Sequence, residues 1–417
     1  MSKKNYNWKE GAVLEEHTKK KHEILRAYFR EYLVTRCKLP LQEKFRLAIV
    51  DGFSGAGLYK CGSYGSPLIF IEVLIEATNE INLNRVDQGM RPIQIECFLV
   101  LNDSIKEVVD QLRQNIPPLM IQAKDTCSNL RIETQYFNAP FEEVYPEIKQ
   151  RLQLAKCRNA MFNLDQCGYS QVTSSIIRDI ISSWSSAEVI LTFMIGSMLT
   201  YLSPAKSSGN VPLEPEIEDR IRALLGSGNS IGKKEWLGEA ELVTFAHLKG
   251  CAPFVSPFSI NNPGGWRYWL MHFASSYRAR EVYNNLLHRD EATQAHFGRS
   301  GLHMLSYDPQ TEGRLYLFDD DSRESAKVEL YDDIPRLVAE SGDTLGMGDF
   351  YRAAYSETPA HSDDIHEMII DNPDIEVITE SGGERRKPNT IKPTDTLRLK
   401  NQRSMFFMFS GKVGNHE

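Results

Sequence analysis

The chain has 417 residues, 41% hydrophobic and 25% charged, enough for two or three domains with a sizeable core. Its 48 Lys and Arg against 56 Asp and Glu leave a formal charge of −8, which excludes a chain-wide basic coat for phosphates but not a local patch. Seven scattered cysteines form no CxxC or His/Cys cluster, so reduced, mostly buried thiols are expected, with no disulfide framework and no metal site. Met1 to Trp8 carry no apolar core of the kind a secretion signal needs, so none is expected here. The most apolar stretch, 189–202, is shorter than a membrane span and carries Thr, Ser and Gly, so a cytoplasmic protein without membrane contact is expected.

Residues 14–36 read as an amphipathic helix, because Leu14, Ile24, Leu25, Tyr28, Phe29, Tyr32 and Leu33 recur at three- and four-residue steps. Its first half carries His17, Lys19, Lys20, Lys21 and His22, for which a solvated basic face and a phosphate or partner contact both stay open. Strands at 45–50, 97–101, 132–137, 160–164 and 187–194 then alternate with helices at 66–78, 104–114, 141–154 and 172–182. Pro67 suits a first helical turn, and Ser104 suits a cap. Near-continuous apolar strands between helices predict an α/β fold, a Rossmann-like parallel sheet covered on both faces.

Residues 203–264 are rich in Pro, Gly and Ser and read as an insertion with helices at 216–225 and 235–250. A strand at 266–273, a helix at 278–289 and a hairpin of 304–307 with 314–318 follow. Three short helices (333–340, 348–355, 362–370) and two strands (375–379, 396–399) then have the order of a winged-helix module. Its expected wing carries Arg385, Arg386 and Lys387, with Lys392, Arg398, Lys400 and Arg403 beyond. A solvated hairpin and a nucleic-acid contact both stay open there. The expected domains are a helical extension (1–40), a Rossmann-like domain (41–320) and a winged-helix-like domain (325–417).

The strongest chemical signal is Ile49-Val-Asp51-Gly-Phe53-Ser54-Gly55-Ala-Gly57. A strand ends in an acid, and a glycine-rich turn lets backbone approach a ligand with no Cβ in the way. Backbone N–H groups at the nearby helix start favour a polar or anionic ligand group. The spelling differs from the dinucleotide fingerprint and resembles the first motif of class I S-adenosylmethionine-dependent methyltransferases, especially those acting on nucleic-acid bases. A merely tight strand-to-helix turn is the plain alternative. Asp103 closes the second strand as either a ribose acceptor or a first-turn acid of the next helix. Asn138 fits an adenine contact or a turn. After the fourth strand, Asp165 suits an acceptor for a target amine and Tyr169 a stacking ring, although Gln166-Cys167 replaces the Pro-Pro of amino-methylating enzymes.

Five segments resemble the three-Cys-motif partner proteins, a bacterial family expected to have a methyltransferase-like Rossmann fold. They are His17 to Leu25, Val50 to Tyr59, Gly62 to Leu68, Leu164 to Ser170 and Tyr268 to Ser275. Gln166-Cys167 departs from that family's Pro-Phe. The resemblance implies S-adenosyl-L-methionine as cofactor and a neighbouring radical-SAM-like three-Cys-motif protein as partner. Asp51, Phe53, Gly55, Gly57, Asp103 and Asn138 would then hold the donor, and Asp165 and Tyr169 the target base.

Other residues have plainer readings. His272 and His303 fit structural or surface roles, Asp319 to Asp321 a solvated charge cluster, Asp363-Asp364 a helix cap, and Tyr268, Trp269 and Phe273 the core. Two functions are therefore expected in competition. One is a methyltransferase acting on a nucleic-acid base amine; the other is a non-catalytic nucleic-acid-binding partner that keeps the fold. The enzyme reading requires the glycine turn to lie open to a sulfonium nucleoside.

Overall fold

The apolar runs of the first half become the strands of one sheet. In the computed structural model, residues 8, 11–202, 214–226, 233–261, 267–289, 293–296, 315–316 and 320–400 are described. The chain opens with α1 (Glu16–Arg36), β1 (Lys44–Asp51), α2 (Ser66–Asp87) and β2 (Gln94–Asn102). It continues through α3 (Lys106–Asn115), α4 (Pro117–Thr126), β3 (Leu130–Phe137), α5 (Phe141–Leu154), β4 (Asn159–Leu164), α6 (Ser174–Ser183) and β5 (Ser186–Phe193). After α7 (Ile195–Leu202), α8 (Pro215–Gly226) and α9 (Lys233–Lys249) come β6 (Phe254–Asn261), β7 (Arg267–Ala274), α10 (Tyr277–Leu287), β8 (Thr293–His296) and β9 (Leu315–Tyr316).

Seven strands form a mostly parallel sheet in the order β3-β2-β1-β4-β5-β7-β6, extended by the short β8 and β9. The first five are parallel, and β7 runs antiparallel to both β5 and β6. Strand alternation sends Leu47 and Ile49 into the core shared with α1 and α2, and Ala48 and Val50 into the core shared with α5 and α6. Strand order reverses between β1 and β4, the switch point where open α/β sheets leave a crevice at their carboxyl ends.

The helix expected as an N-terminal extension is part of this core: Tyr28, Phe29 and Leu33 are fully buried. Tyr28 hydrogen-bonds Glu188 of β5 and lies 3.0 Å from His272 Nε2 of β7, so a buried polar trio fastens α1 to the sheet. His272 is structural, as expected. Arg85, also buried, donates to the carbonyls of Cys37, Leu39, Pro40, Gln42 and Arg91, which fixes the loop between α1 and β1. All seven cysteines are free thiols, five of them buried.

Three elements depart from expectation. β6 falls within the segment read as an insertion, where Pro253 and Pro257 argue for a loop; Pro257 is tolerated because β8 pairs only with Ser259 and Ile260. The double proline that opens α4 and the apolar run that holds α7 hid those helices. Of the expected late hairpin, 304–307 lies outside the described residues, and β9 pairs with β8.

The C-terminal module comprises α11 (Asp320–Glu340), β10 (Thr344–Gly346), α12 (Met347–Ala354), α13 (Ser362–Asp371), β11 (Ile375–Ile378), β12 (Glu384–Arg385) and β13 (Thr396–Leu399). Its sheet runs β10-β13-β11-β12. α11 starts 13 residues before the expected helix at 333, and its first turn contains Asp320 and Asp321. This module is seated on α10. Buried Arg280 donates to the carbonyls of Tyr355, Thr358 and Ala360, and Asn284 to those of Pro359 and Ala360.

Candidate functional site

β1 delivers Asp51 to the switch point, in register with Asn163 on β4. Asp51 is fully buried; Asn163 donates to its Oδ1 at 3.2 Å, while Oδ2 has no hydrogen-bond partner. Burial pushes its pKa up to about 7 against the opposing pull of Ser66 and Asn163. A buried carboxyl pushed towards its protonated form, with Oδ2 unbonded, leaves room for one further polar partner beside Ser66 and Asn163.

The glycine turn that follows is laced to the end of β2. Ser54 N–H donates to Asn102 O at 2.8 Å, and Asn102 Nδ2 donates to the carbonyls of Gly52 and Ala139. Gly55 (φ +61°) and Gly57 (φ +78°) hold left-handed backbone, which explains the residue type at both positions. Asp103 ties the turn to the approach to α3: Oδ2 accepts from Gly55 N–H at 3.2 Å and Oδ1 from Ile105 N–H at 2.9 Å, so it stands ahead of that helix and not in its first turn. Burial raises its pKa. Asn138 is exposed and donates to Asp103 O, while Phe53 is half-buried and tilts against Phe141.

The turn is not bare. The indole of Trp8 lies against it, so a Cβ at Gly55 would come within 2.6 Å of Trp8 Cζ2; at Gly57 it would meet Leu112 at 2.9 Å. Trp8 also packs against Tyr59, which in turn contacts His22.

Asp165 leaves β4 into an ion pair. Lys21 Nζ lies 2.5 and 2.7 Å from its two carboxylate oxygens. Burial alone would raise the Asp165 pKa, but the Lys21 charge and hydrogen bonds from Lys21 and Thr192 outweigh it and hold the group below the ordinary value. His22, beside them, is pushed down to about 4 by burial and by Lys21, so it is neutral at pH 7. Ser66, Asn163, Asp165, Thr192, Lys21 and His22 line a cavity of about 20 Å³, room for one water. Tyr169 lies apart from this cavity, tilted against Phe193. Gln166, standing where the resemblance has proline, turns inward: its Oε1 accepts from Gln171 and Val172 N–H and shapes the loop before α6.

Lys21, His22, Trp8 and Thr192 were not singled out for this site by sequence; only the basic run of α1 hinted at two of them. The five segments quoted for the resemblance meet here. His17 stacks on Tyr268 at 4.7 Å, Lys21 holds Asp165, His22 faces Tyr59, and Ser66 and Leu270 line the same cavity.

The three wing residues separate. Arg385 is tied to buried Asp395 by bonds of 3.0 and 3.2 Å, whereas Arg386 and Lys387 are exposed. α13, the helix that a winged-helix protein would present to a groove of DNA, carries Asp363, Asp364, Glu367 and Asp371, a poor surface for phosphates. Asp364 is paired with Arg323, and His361, not Asp363, caps the helix.

The fold and site thus define an α/β sheet protein with a water-sized polar cavity near its switch point and a docked winged-helix module. Residues 306–382 match the family of GMT-like wHTH domains. No curated protein matches the chain. Among the described residues, no cluster of His, Cys, Asp and Glu fit for a metal is present, and no helix is long and apolar enough to cross a membrane.

Proposed function

We propose that the chain is a methyltransferase-like protein that binds S-adenosyl-L-methionine at the carboxyl edge of its sheet and acts on a nucleic-acid base amine. The observation that carries this reading is the orphaned Oδ2 of Asp51 beside a left-handed glycine turn. The donor's ammonium would supply the missing partner there, and Asp103 would accept from its ribose. The reversal of strand order between β1 and β4 supports the same reading, since ligands of open α/β sheets bind at that switch point, where Asp51 lies. So does the convergence of the segments that resemble three-Cys-motif partner proteins, which also makes a radical-SAM-like neighbour the proposed partner.

When bound, the donor supplies a methyl group on a sulfonium. The chain's own part is positioning, which replaces a bimolecular encounter. Asp165, kept ionised by Lys21, would accept from the target amine, and Tyr169 would stack on an extruded base. Arg386 and Lys387 would hold phosphates.

Trp8 against Gly55 and the water-sized cavity at Asp165 favour a second reading, a non-catalytic nucleic-acid-binding partner that keeps the fold. Calorimetric titration of S-adenosylmethionine into wild type, Trp8→Ala and Asp51→Asn decides between them, followed by labelled methyl transfer to DNA and RNA. Tighter donor binding by Trp8→Ala, weaker binding by Asp51→Asn and transfer to an acceptor carry the first reading. Binding without transfer leaves the second, and no binding by any variant removes the donor site.

A further inference from the structure

A cleft of about 1270 Å³ lies at the opposite end of the sheet from Asp51 and Asp165. It runs between the amino ends of β1 and β4 on one side and α10, α13 and the 390s turn of the winged-helix module on the other. Eight of its lining side chains are Lys or Arg, against three carboxylates, in a chain whose net charge is −8. We propose that this cleft binds the phosphodiester backbone of a nucleic acid.

Much of that charge is already neutralised. Lys44 and Arg46 share Glu96, Arg278 pairs with Glu281, and Arg289 approaches Glu31. Lys38, Lys156 and Arg158 are different: each is exposed, and among the described residues none has a carboxylate within ion-pair distance. Lys38 sits on the loop that Arg85 fixes, and Lys156 and Arg158 on the turn between α5 and β4. Lys156 occupies left-handed backbone (φ +54°) just past a helix end, where glycine is at ease and a lysine is strained. A cation stands where the backbone favours glycine.

The cleft also determines how it would bind. The ring of Tyr277 is stacked by Tyr351 at 4.7 Å and lies under Arg278 at 5.3 Å, and Phe45 and Tyr351 are buried, so these rings offer no open face for base stacking. Unpaired cations without a stacking platform recognise backbone charge and not sequence. The acidic α13 borders the cleft through Asp363 and is not its gripping surface. Lys44 and Asp51 are seven residues apart on β1, about 23 Å at the usual strand rise. A strand held here is thus anchored well away from the candidate donor site. This proposal shares the nucleic-acid half of the function proposed above and is independent of methyl transfer.

Fluorescence anisotropy with labelled 30-residue duplex DNA, single-stranded DNA and single-stranded RNA, without donor and across a salt series, tests it. The K38E/K156E/R158E variant should bind at least about thirtyfold more weakly, with a salt slope lowered by about three. Lys156→Gly, which suits the backbone, should weaken binding about threefold without lowering Tm. Lys124→Glu, an exposed charge reversal on α4, should change affinity less than twofold. R386E/K387E, measured in parallel, separates the wing from the cleft. Which of the three probes binds best identifies the strand type. Unchanged affinity and slope in both cleft variants, or an equal loss in the Lys124 variant, would overturn the proposal.

Discussion

Lys21 Nζ bonds both carboxylate oxygens of Asp165, joining the first helix to the end of β4 across 144 residues of chain. The side chains of Lys21 and Asp165 are only 11% and 27% exposed, so losing one partner strands the other. Lys21→Met should therefore cost about 2–3 kcal/mol, below the range for a wholly buried pair because Asp165 keeps some solvent contact. K21M/D165N should cost less than the sum of the single changes in a denaturant double-mutant cycle. Because the Asp165 pKa is depressed, its contribution is present above the ordinary carboxylate range and lost as pH falls through the folded value. The gap between wild type and Asp165→Asn should shrink below pH ~4.

Asp51 has the opposite sign. Its pKa is raised to about 7, so the fold favours the protonated acid. Between pH ~4 and ~7 the native state holds a proton that the unfolded chain has released, and stability falls as pH rises through this window. At ~1.4 kcal/mol per unit, the full cost above pH 7 is on the order of 4 kcal/mol. Asp51→Asn should raise Tm at pH 8 and do little at pH 4.5. An equal shift at both values would remove the buried-acid account. A donor ammonium beside Asp51 would lower its pKa, so titration at pH 6 should release a proton that titration at pH 8.5 does not.

Much of the sheet was legible because β1, β4, β5 and the end of β2 are buried runs bounded by turn residues, and such runs need only local pattern; edge strand β3 is mostly half-buried or exposed. Asp51, Gly55 and Gly57 were legible for the same reason: backbone strain and a strand-terminal acid leave a local spelling. Lys21 was not, since the basic run of α1 gives no sign that Lys19 faces solvent, Lys20 pairs with Glu23, and Lys21 turns inward to a residue on a distant strand. Trp8 was overlooked because its partner is a glycine, which advertises space and not what fills it. Arg385 looked like its neighbours until Asp395, ten residues on, came into contact.

Arg280 controls the seating of the winged-helix module. Its fork reaches three carbonyls in 355–360, and its plane lies 4.3 Å from the Tyr355 ring centre. Arg280→Lys keeps the charge but loses the fork, so it should rescue little of the Arg280→Ala defect. Arg280→Ala should destabilise the chain by about 3 kcal/mol, from stranded buried carbonyls and lost packing. Hydrogen exchange should report faster opening at 355–362 than in β1 or β4. Uniform protection across both regions would show that the module is held by other contacts.

The wing offers a sharper sorting of three adjacent cations. Arg385 forms a forked pair with Asp395, which is 1% exposed and also accepts from Lys392 N–H. Removing the guanidinium leaves that carboxylate buried with backbone partners alone, so Arg385→Ala should cost about 2–3 kcal/mol. Arg386→Ala and Lys387→Ala, both exposed, should each fall within about 0.5 kcal/mol of wild type. Nucleic-acid affinity should show the reverse order at matched fractions folded: the exposed pair should weaken binding and reduce the salt slope by about one each. If Arg385→Ala alone lowers affinity while the others leave it untouched, the wing acts through its shape, and its exposed cations carry no contact.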